Sequence, residues 1–346
     1  MSKTEIKYDY LWDDITNEWK IESKEQSEYD KNGNLLATIW YSLDKLIDKL
    51  KIDSKVDYEY YKDGKKKKSI EYFWDDHDWN KSRETEYQYN GLEEKVFTID
   101  YEEKGKWKWE WIKQRDNNGD LIMEAEYYLN PEHEKWEGAD KSEYTYDNKG
   151  NIITEIVYHW NDDTNDWETM YKFEREYNNI GRIIKDELLC QYAGIWKMDE
   201  KIETEYDCKG NIVKEKVCFF DEQISFETLK ISSLGTNAWC EQPIEYFYDN
   251  LDNLIKKVTY NWDFTVGDSV LYSKNEYVYD ERGNEIEEVY FEWDEKIGDW
   301  KKDWKQKNTY SSDNVKIREV FYKWTENQWK NKRKWELEFL QEIPFE

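Results

Sequence analysis

No run of 18 apolar residues occurs in this 346-residue chain, so it has no candidate transmembrane helix. The opening MSKTEIKYDY also lacks the apolar core of a secretory signal, so the expectation for an exported protein is a signal removed from this chain. Positive charge is in deficit, 51 Lys and Arg against 79 Asp and Glu, for a formal charge of −28. A polyanion of that size repels phosphate backbones and anionic headgroups, which excludes nucleic acid and membrane insertion from the expected partners. The four cysteines, Cys190, Cys208, Cys218 and Cys240, crowd into about one sixth of the chain without a CxxC spacing, and are expected free or locally paired. Histidine is scarce and scattered, at His77, His133 and His159, which gives a His-based triad or metal site little support. Neither a serine nucleophile elbow nor a phosphate-cradling glycine loop is present.

What the chain has instead is aromatic side chains. Charged residues at 38% would suggest disorder, but Phe, Trp and Tyr make up 18%, and disordered chains are poor in these. The chain should fold. A length prior would give two domains, yet one word keeps returning: EYTYDNKGN at 143–151, EYVYDERGN at 276–284, SEYDKNGN at 27–34 and ETEYDCKGN at 203–211. Its tyrosine falls at Tyr29, Tyr60, Tyr89, Tyr146, Tyr177, Tyr206, Tyr248, Tyr279 and Tyr310, with Arg115 in the fourth place. The spacing is about 31 residues, broken by one expanded unit over 221–247. Two tryptophan markers keep the same period, one ten residues before the tyrosine (Trp19, Trp79, Trp167, Trp300) and one ten after the glycine slot (Trp74, Trp160, Trp262, Trp293).

Each unit has the marks of a β-hairpin. In the word, Asp147 accepts backbone hydrogen bonds, Asn148 and Lys149 fit the centre of a type I turn, and Gly150 supplies the positive φ that closes it. Before the word, Trp304, Gln306, Asn308 and Tyr310 alternate with Lys305, Lys307 and Thr309, which predicts aromatics on one face and lysines on the other. After it, an aliphatic residue at place three (Ile153, Ile184, Ile286) changes parity with those at six, eight and ten, predicting a bulge or a sharp coil. Between units lie acidic segments bracketed by tryptophans, such as WDDITNEW and WNDDTNDW, expected to clamp hairpin ends. One such segment differs: SLDKLIDKLK at 42–51 places Leu43, Leu46, Ile47 and Leu50 on one helical face and predicts a short helix.

The fold class is therefore all-β: 10–11 hairpin units, about 20–22 antiparallel strands, in one coiled, spiral or ring-closed meander spanning residues 1–346 as a single tandem-repeat domain. The chain starts on a return strand and ends on an outgoing one, so its two half-units sum to a whole, as a ring would require and as boundaries that simply fall there would also give.

The words YTYDNKGN, YVYDERGN and SEYDKNGN resemble the YD repeats of bacterial RHS-type cell-surface proteins, and the pattern is similar to longer Trp-rich tandem repeats of secreted bacterial proteins. The unit here is longer, arginine follows the glycine only at Gly181-Arg182, and no autoproteolytic core or toxin-like tail is visible. The resemblance implies an extracellular or cell-surface scaffold.

For function, the expectation is a non-enzymatic scaffold for display, adhesion or protein contacts, without a cofactor. The recurring acids Glu143, Glu174, Glu203, Glu245 and Glu276 fit strand positions facing lysine better than catalysts, and Asp13-Asp14, Asp75-Asp76 and Asp162-Asp163 lack the ordered pattern of a calcium loop. A first alternative is a carbohydrate-binding module with Trp74, Trp79, Trp160, Trp167, Trp293 and Trp300 as its aromatic platform. A second is a hydrolase with its site in the expanded unit. The ligand is thus a protein or a glycan.

Overall fold

The computed structural model describes residues 3–102, 105–130, 134–192, 194–220, 239–263 and 265–341. All regular elements among them are strands, 22 in number and members of one sheet. In chain order these are β1 (Lys3–Asp13), β2 (Glu18–Tyr29), β3 (Leu35–Asp44), β4 (Lys49–Tyr60), β5 (Lys66–Trp74), β6 (Trp79–Asn90), β7 (Glu93–Glu102), β8 (Gly105–Arg115), β9 (Leu121–Asn130), β10 (Lys135–Tyr146) and β11 (Ile152–Asn161). The second half comprises β12 (Asp166–Tyr177), β13 (Ile183–Tyr192), β14 (Ile195–Tyr206), β15 (Ile212–Phe220), β16 (Trp239–Tyr248), β17 (Leu254–Asp263), β18 (Asp268–Tyr279), β19 (Glu285–Asp294), β20 (Asp299–Tyr310), β21 (Lys316–Thr325) and β22 (Gln328–Gln341).

The chain divides into two compact units. In the first, Met1–Ala139 with Gln306–Glu346, each strand from β1 to β9 pairs antiparallel with its successor, β21 pairs with β22, and β22 pairs back onto β1. In the second, Asp140–Lys305, the run from β10 to β19 follows the same rule. The β1–β22 pairing selects the ring-closed alternative: a closed antiparallel meander, with the strand connectivity of an up-and-down β-barrel.

The recurring word is a three-residue hairpin turn. Gly150, at φ 84°, donates its N–H to Asp147 O at 3.2 Å, and Asp147 Oδ1 accepts from the backbone of Lys149 (2.8 Å) and Asn151 (2.9 Å). Asn151 Nδ2 closes the loop on Asp147 Oδ2 at 2.8 Å. The same set recurs at Asp30, Asp207, Asp249 and Asp280. Unit three shortens the turn to Gly91-Leu92, with Gly91 at φ 62° in the first central place of a two-residue hairpin.

Of the two explanations for the parity change, the structure has the bulge. Thr145 lies opposite Thr154 and Tyr146 opposite Ile152, so Ile153 is the extra residue; Leu36, Ile122, Ile184, Val213, Ile255 and Ile286 are skipped in the same way. The bulge gives the word's tyrosine its task. Pairing of β11 with β12 begins at Thr154 and Glu174, which leaves the Ile152 carbonyl beyond the ladder on that side. The Tyr177 phenol donates to it at 2.6 Å. Tyr60 does so to Leu35 O, Tyr206 to Ile183 O, Tyr248 to Ile212 O and Tyr279 to Leu254 O, so each tyrosine straps its unit to the preceding one. Tyr177→Phe is expected to cost about 1 kcal/mol, the net worth of one such bond, read as a lowered urea midpoint at unchanged slope.

The predicted helix at 42–51 is overturned. Residues through Asp44 belong to β3 and those from Lys49 to β4, joined by a tight turn with Asp48 at φ 53°. Leu43 and Leu50 pair directly across the hairpin, in the two places tryptophans hold elsewhere, while Leu46 is 95% exposed at the turn. The helical spacing arose because two cross-strand partners flank two loop residues. Within the expanded unit, residues 221–238 lie outside the described residues, and Trp239–Tyr248 forms β16.

The core is thin. Among the described residues the buried apolar side chains are Ile6, Ala125, Cys218, Val258, Phe291 and Val320, and buried hydroxyls pair between strands, Ser27 with Thr38 and Thr85 with Thr98. Cross-strand contacts carry the stability that a dry core supplies in other domains.

Candidate functional site

The segregation of aromatics from lysines is not what the structure has. Because the return strands after the full-length words carry a bulge, their aromatics fall on the lysine face of the neighbouring outgoing strand. Lys141 lies opposite Tyr158, its Nζ 4.6 Å from the ring centre and 2.6 Å from Glu143 Oε1. Lys55 sits over Tyr72 (4.5 Å) and Trp79 (5.1 Å) and pairs with Asp57; Lys274 sits over Phe291 (4.2 Å) and Trp300 (5.3 Å) and pairs with Glu276. At the closing seam Lys334 lies over Tyr10 (4.1 Å) and Trp19 (5.5 Å) and pairs with Glu336. The seam therefore repeats the chemistry of the interior junctions. Lys55, Lys141 and Lys274 stand five residues before the tyrosine of their words, as do Lys24, Lys172, Lys201 and Lys305, and Lys334 stands five before Phe339: a third periodic marker that was in the sequence but hidden by assigning lysine to solvent.

The recurring acids are the other half of this contact. Glu143, Glu174, Glu203 and Glu276 each pair with the lysine two residues earlier, and Glu245 accepts from the Tyr260 phenol. The lysine bonds hold the Glu143 and Glu203 carboxyls below their ordinary range. Where Glu84 replaces the lysine, Tyr101 donates to it, and its bonds to Lys68 and then Lys81 pull its carboxyl down to about 2. The acidic connections are likewise engaged: Asp13 Oδ1 accepts from Ile15 N at 2.8 Å, and Asp75 Oδ1 from Asp78 N at 2.9 Å.

Burial, with the Glu143 bond second, pushes the Tyr158 phenol up to about 12, and burial raises Tyr246 and Tyr277 in the same direction. A raised phenol pKa favours folding while the group is protonated. That stability is complete below the unfolded value of about 10 and is lost as pH climbs towards the folded one. Alkaline unfolding is thus expected above pH about 10, with tyrosinate absorbance rising in step with loss of the β-sheet signal. Ionisation of the phenols at about 10 with the sheet intact would contradict it.

The six platform tryptophans form three edge-to-face pairs: Trp74 with Trp79 (5.2 Å, 67°), Trp160 with Trp167 (5.2 Å, 80°) and Trp293 with Trp300 (5.1 Å, 71°). All are half-buried, and two more such pairs, Trp12 with Trp19 and Trp324 with Trp329, close other hairpins. Perpendicular indoles clamp strand ends and offer no shared flat face.

The β17–β18 hairpin of the second unit lacks the clamp: Trp262 of β17 lies opposite Ser269 of β18, whereas Trp160 faces Trp167 and Trp293 faces Trp300 in other hairpins of that unit. A groove of about 500 Å³ opens there, lined by Trp262, Tyr272, Trp293, Asp263, Glu292 and Glu295 among others, none of them Lys or Arg. Tyr272 is the bulged residue of β18 and is 55% exposed. Trp262 Nε1 is buried with no hydrogen-bond acceptor among the described residues; Trp160 Nε1 shares this state, but Trp167 stands against its ring. The Thr265 hydroxyl, with the Thr265 backbone N–H second, holds the Asp263 carboxyl below its ordinary range. Sequence reasoning passed over this place, although Ser269 breaking the tryptophan phase was a legible signal. A second concavity, about 650 Å³ in the first unit, is lined partly by Asp30 and Asn34, which already bond to each other at 2.9 Å. Cys190, Cys208 and Cys218 are free thiols, His133 lies outside the described residues, and no cluster of metal-ligating side chains occurs among the described residues.

No protein-family model matches the chain, and no curated protein matches it. Among solved structures it is similar to a chain of the TcdB2–TccC3–Cdc42 complex at 11% identity and TM-score 0.30, covering 94% of this chain and 20% of that one. The chain therefore spans about one fifth of that chain's length. It is similar to a porin-like protein from Bacteroides uniformis at 7% identity and TM-score 0.26, covering 97% of each chain. It is also similar to the outer membrane protein opdK from Pseudomonas aeruginosa at 6% identity and TM-score 0.24, covering 98% of this chain and 99% of that one. Superpositions with TM-scores this low assign neither fold nor function. No described helix is long and apolar enough to cross a membrane, which says nothing of strands.

Proposed function

We propose that the chain is a non-enzymatic extracellular or cell-surface scaffold that binds a partner through sites set into a repeated sheet. The observation that carries this is the reuse of one contact set from unit to unit. Tyrosine strap, tryptophan clamp and lysine cradle engage residues that would otherwise be candidates for chemistry, and the recurring carboxylates are occupied by lysine or phenol. A carboxyl held ionised by a fixed cation is a poor general acid.

Water on both sheet faces fits the same proposal. In β12, Lys172, Glu174 and Glu176 alternate with Arg175, so both phases carry charge, whereas a membrane-spanning sheet needs an apolar band about 25 Å tall on its lipid face. The YD words favour the cell surface by resemblance. The test is a panel of polysaccharides and proteins incubated with the intact chain and with a variant in which 221–238 is replaced by a short turn, so that β15 and β16 are kept. Saturable binding without turnover is expected of both; turnover by the intact chain that vanishes with the segment would establish the hydrolase instead.

A further inference from the structure

At the β17–β18 hairpin the tryptophan clamp is interrupted and a groove is left over. Its lining joins aromatic rings and carboxylates. Tyr272 is exposed by the bulge, Trp262 lacks the indole that faces its counterparts, and Asp263, Glu292 and Glu295 lie around them with no lining cation. Such a lining selects a ligand that is positively charged and has a flat apolar face. An ammonium group is attracted both to carboxylates and to aromatic faces. A pyranose presents axial C–H groups to a ring, and its hydroxyls donate to carboxylates. About 500 Å³ lies within the usual range for small-ligand sites.

We infer that this groove binds an amino sugar with a free amine, as in a de-N-acetylated hexosamine glycan. The ring rests on Tyr272 and Trp262, and the ammonium lies among Asp263, Glu292 and Glu295. This rests on the reading of the chain as a binding scaffold and names the ligand class of one of its sites.

The test uses the full chain, with the Trp262 indole N–H resonance, assigned through Trp262→Phe, as a local reporter. Added salt suppresses non-specific attraction of cations to the acidic chain. The probes are glucosamine tetramer, its fully N-acetylated form, cellotetraose and a lysine-containing tetrapeptide. The resonance is expected to shift saturably with the glucosamine tetramer, at an affinity at least about tenfold above the other three, each tenfold being about 1.4 kcal/mol. Ser269→Trp installs the indole that five other hairpins carry, and should fill the groove, keep the fold and lower affinity at least about tenfold. Tyr272→Ala, at an exposed position, should weaken binding as well. Equal shifts from all four probes, affinity unchanged in both variants, or preference for the peptide would overturn the inference. Preference for cellotetraose would overturn it too, while leaving the scaffold reading intact; polysaccharide turnover would remove that reading.

Discussion

Deletion of Gln328–Gln341 is expected to turn the chain into a self-associating species, seen as a rise in molar mass by light scattering and a gain of thioflavin fluorescence. The strand removed pairs nine residues of β1 on one side and eight of β21 on the other. Each cross-strand pair contributes about 0.2–1 kcal/mol, so the loss rivals the whole stability of an ordinary domain, about 5–15 kcal/mol. It also bares two long edges, each a template for another copy. Val320 and Ile6, buried at 5% and 6% exposure, stand on those edges beside the missing strand. A monomeric variant with an unchanged melting temperature would mean that the β1–β22 seam does not hold the sheet.

The second large effect is expected at Lys274. Its side chain is 14% exposed, with the ammonium between Phe291 and Trp300 and 2.7 Å from Glu276. Lys274→Met keeps the stem that packs on the rings and loses the charge, at a cost of about 1–2 kcal/mol. Lys274→Glu places a second carboxylate beside Glu276 against two aromatic faces, and should cost about 3–5 kcal/mol. The urea midpoints should fall in the order wild type, Met, Glu. If Met and Glu prove equal, packing of the stem accounts for the lysine and its charge contributes nothing.

Much of this architecture was legible because the sequence states it many times. The turn word required Asp-x-x-Gly geometry and obtained it, and the tryptophan spacing gave both arms of each hairpin. A strand count of about 20–22 fits the 22 strands found. Other features misled for definite physical reasons. Lysine in alternation with aromatics reads as a solvated face when a strand is considered alone; the bulge at Ile153 shifts the facing strand by one, and Lys141 meets Tyr158. Leu43, Leu46, Ile47 and Leu50 satisfy a helical spacing equally well when the outer two are partners across a hairpin. Tryptophans proposed as a platform are mutually perpendicular, which spacing cannot express. The groove emerged only where Ser269 departs from the period, and a departure acquires meaning once the contact it interrupts is known.

The return of β22 onto β1 sets a counting rule for how such a chain can evolve. A meander whose last strand runs antiparallel to its first must have an even number of strands, so losing one arm would bring two parallel neighbours together at the seam. Gain or loss of a complete hairpin changes the number by two and leaves the seam intact. Homologous lengths should therefore differ in steps of about 31 residues, with unequal crossover between any two Tyr-Asp words as the natural way to enlarge or shrink the circumference.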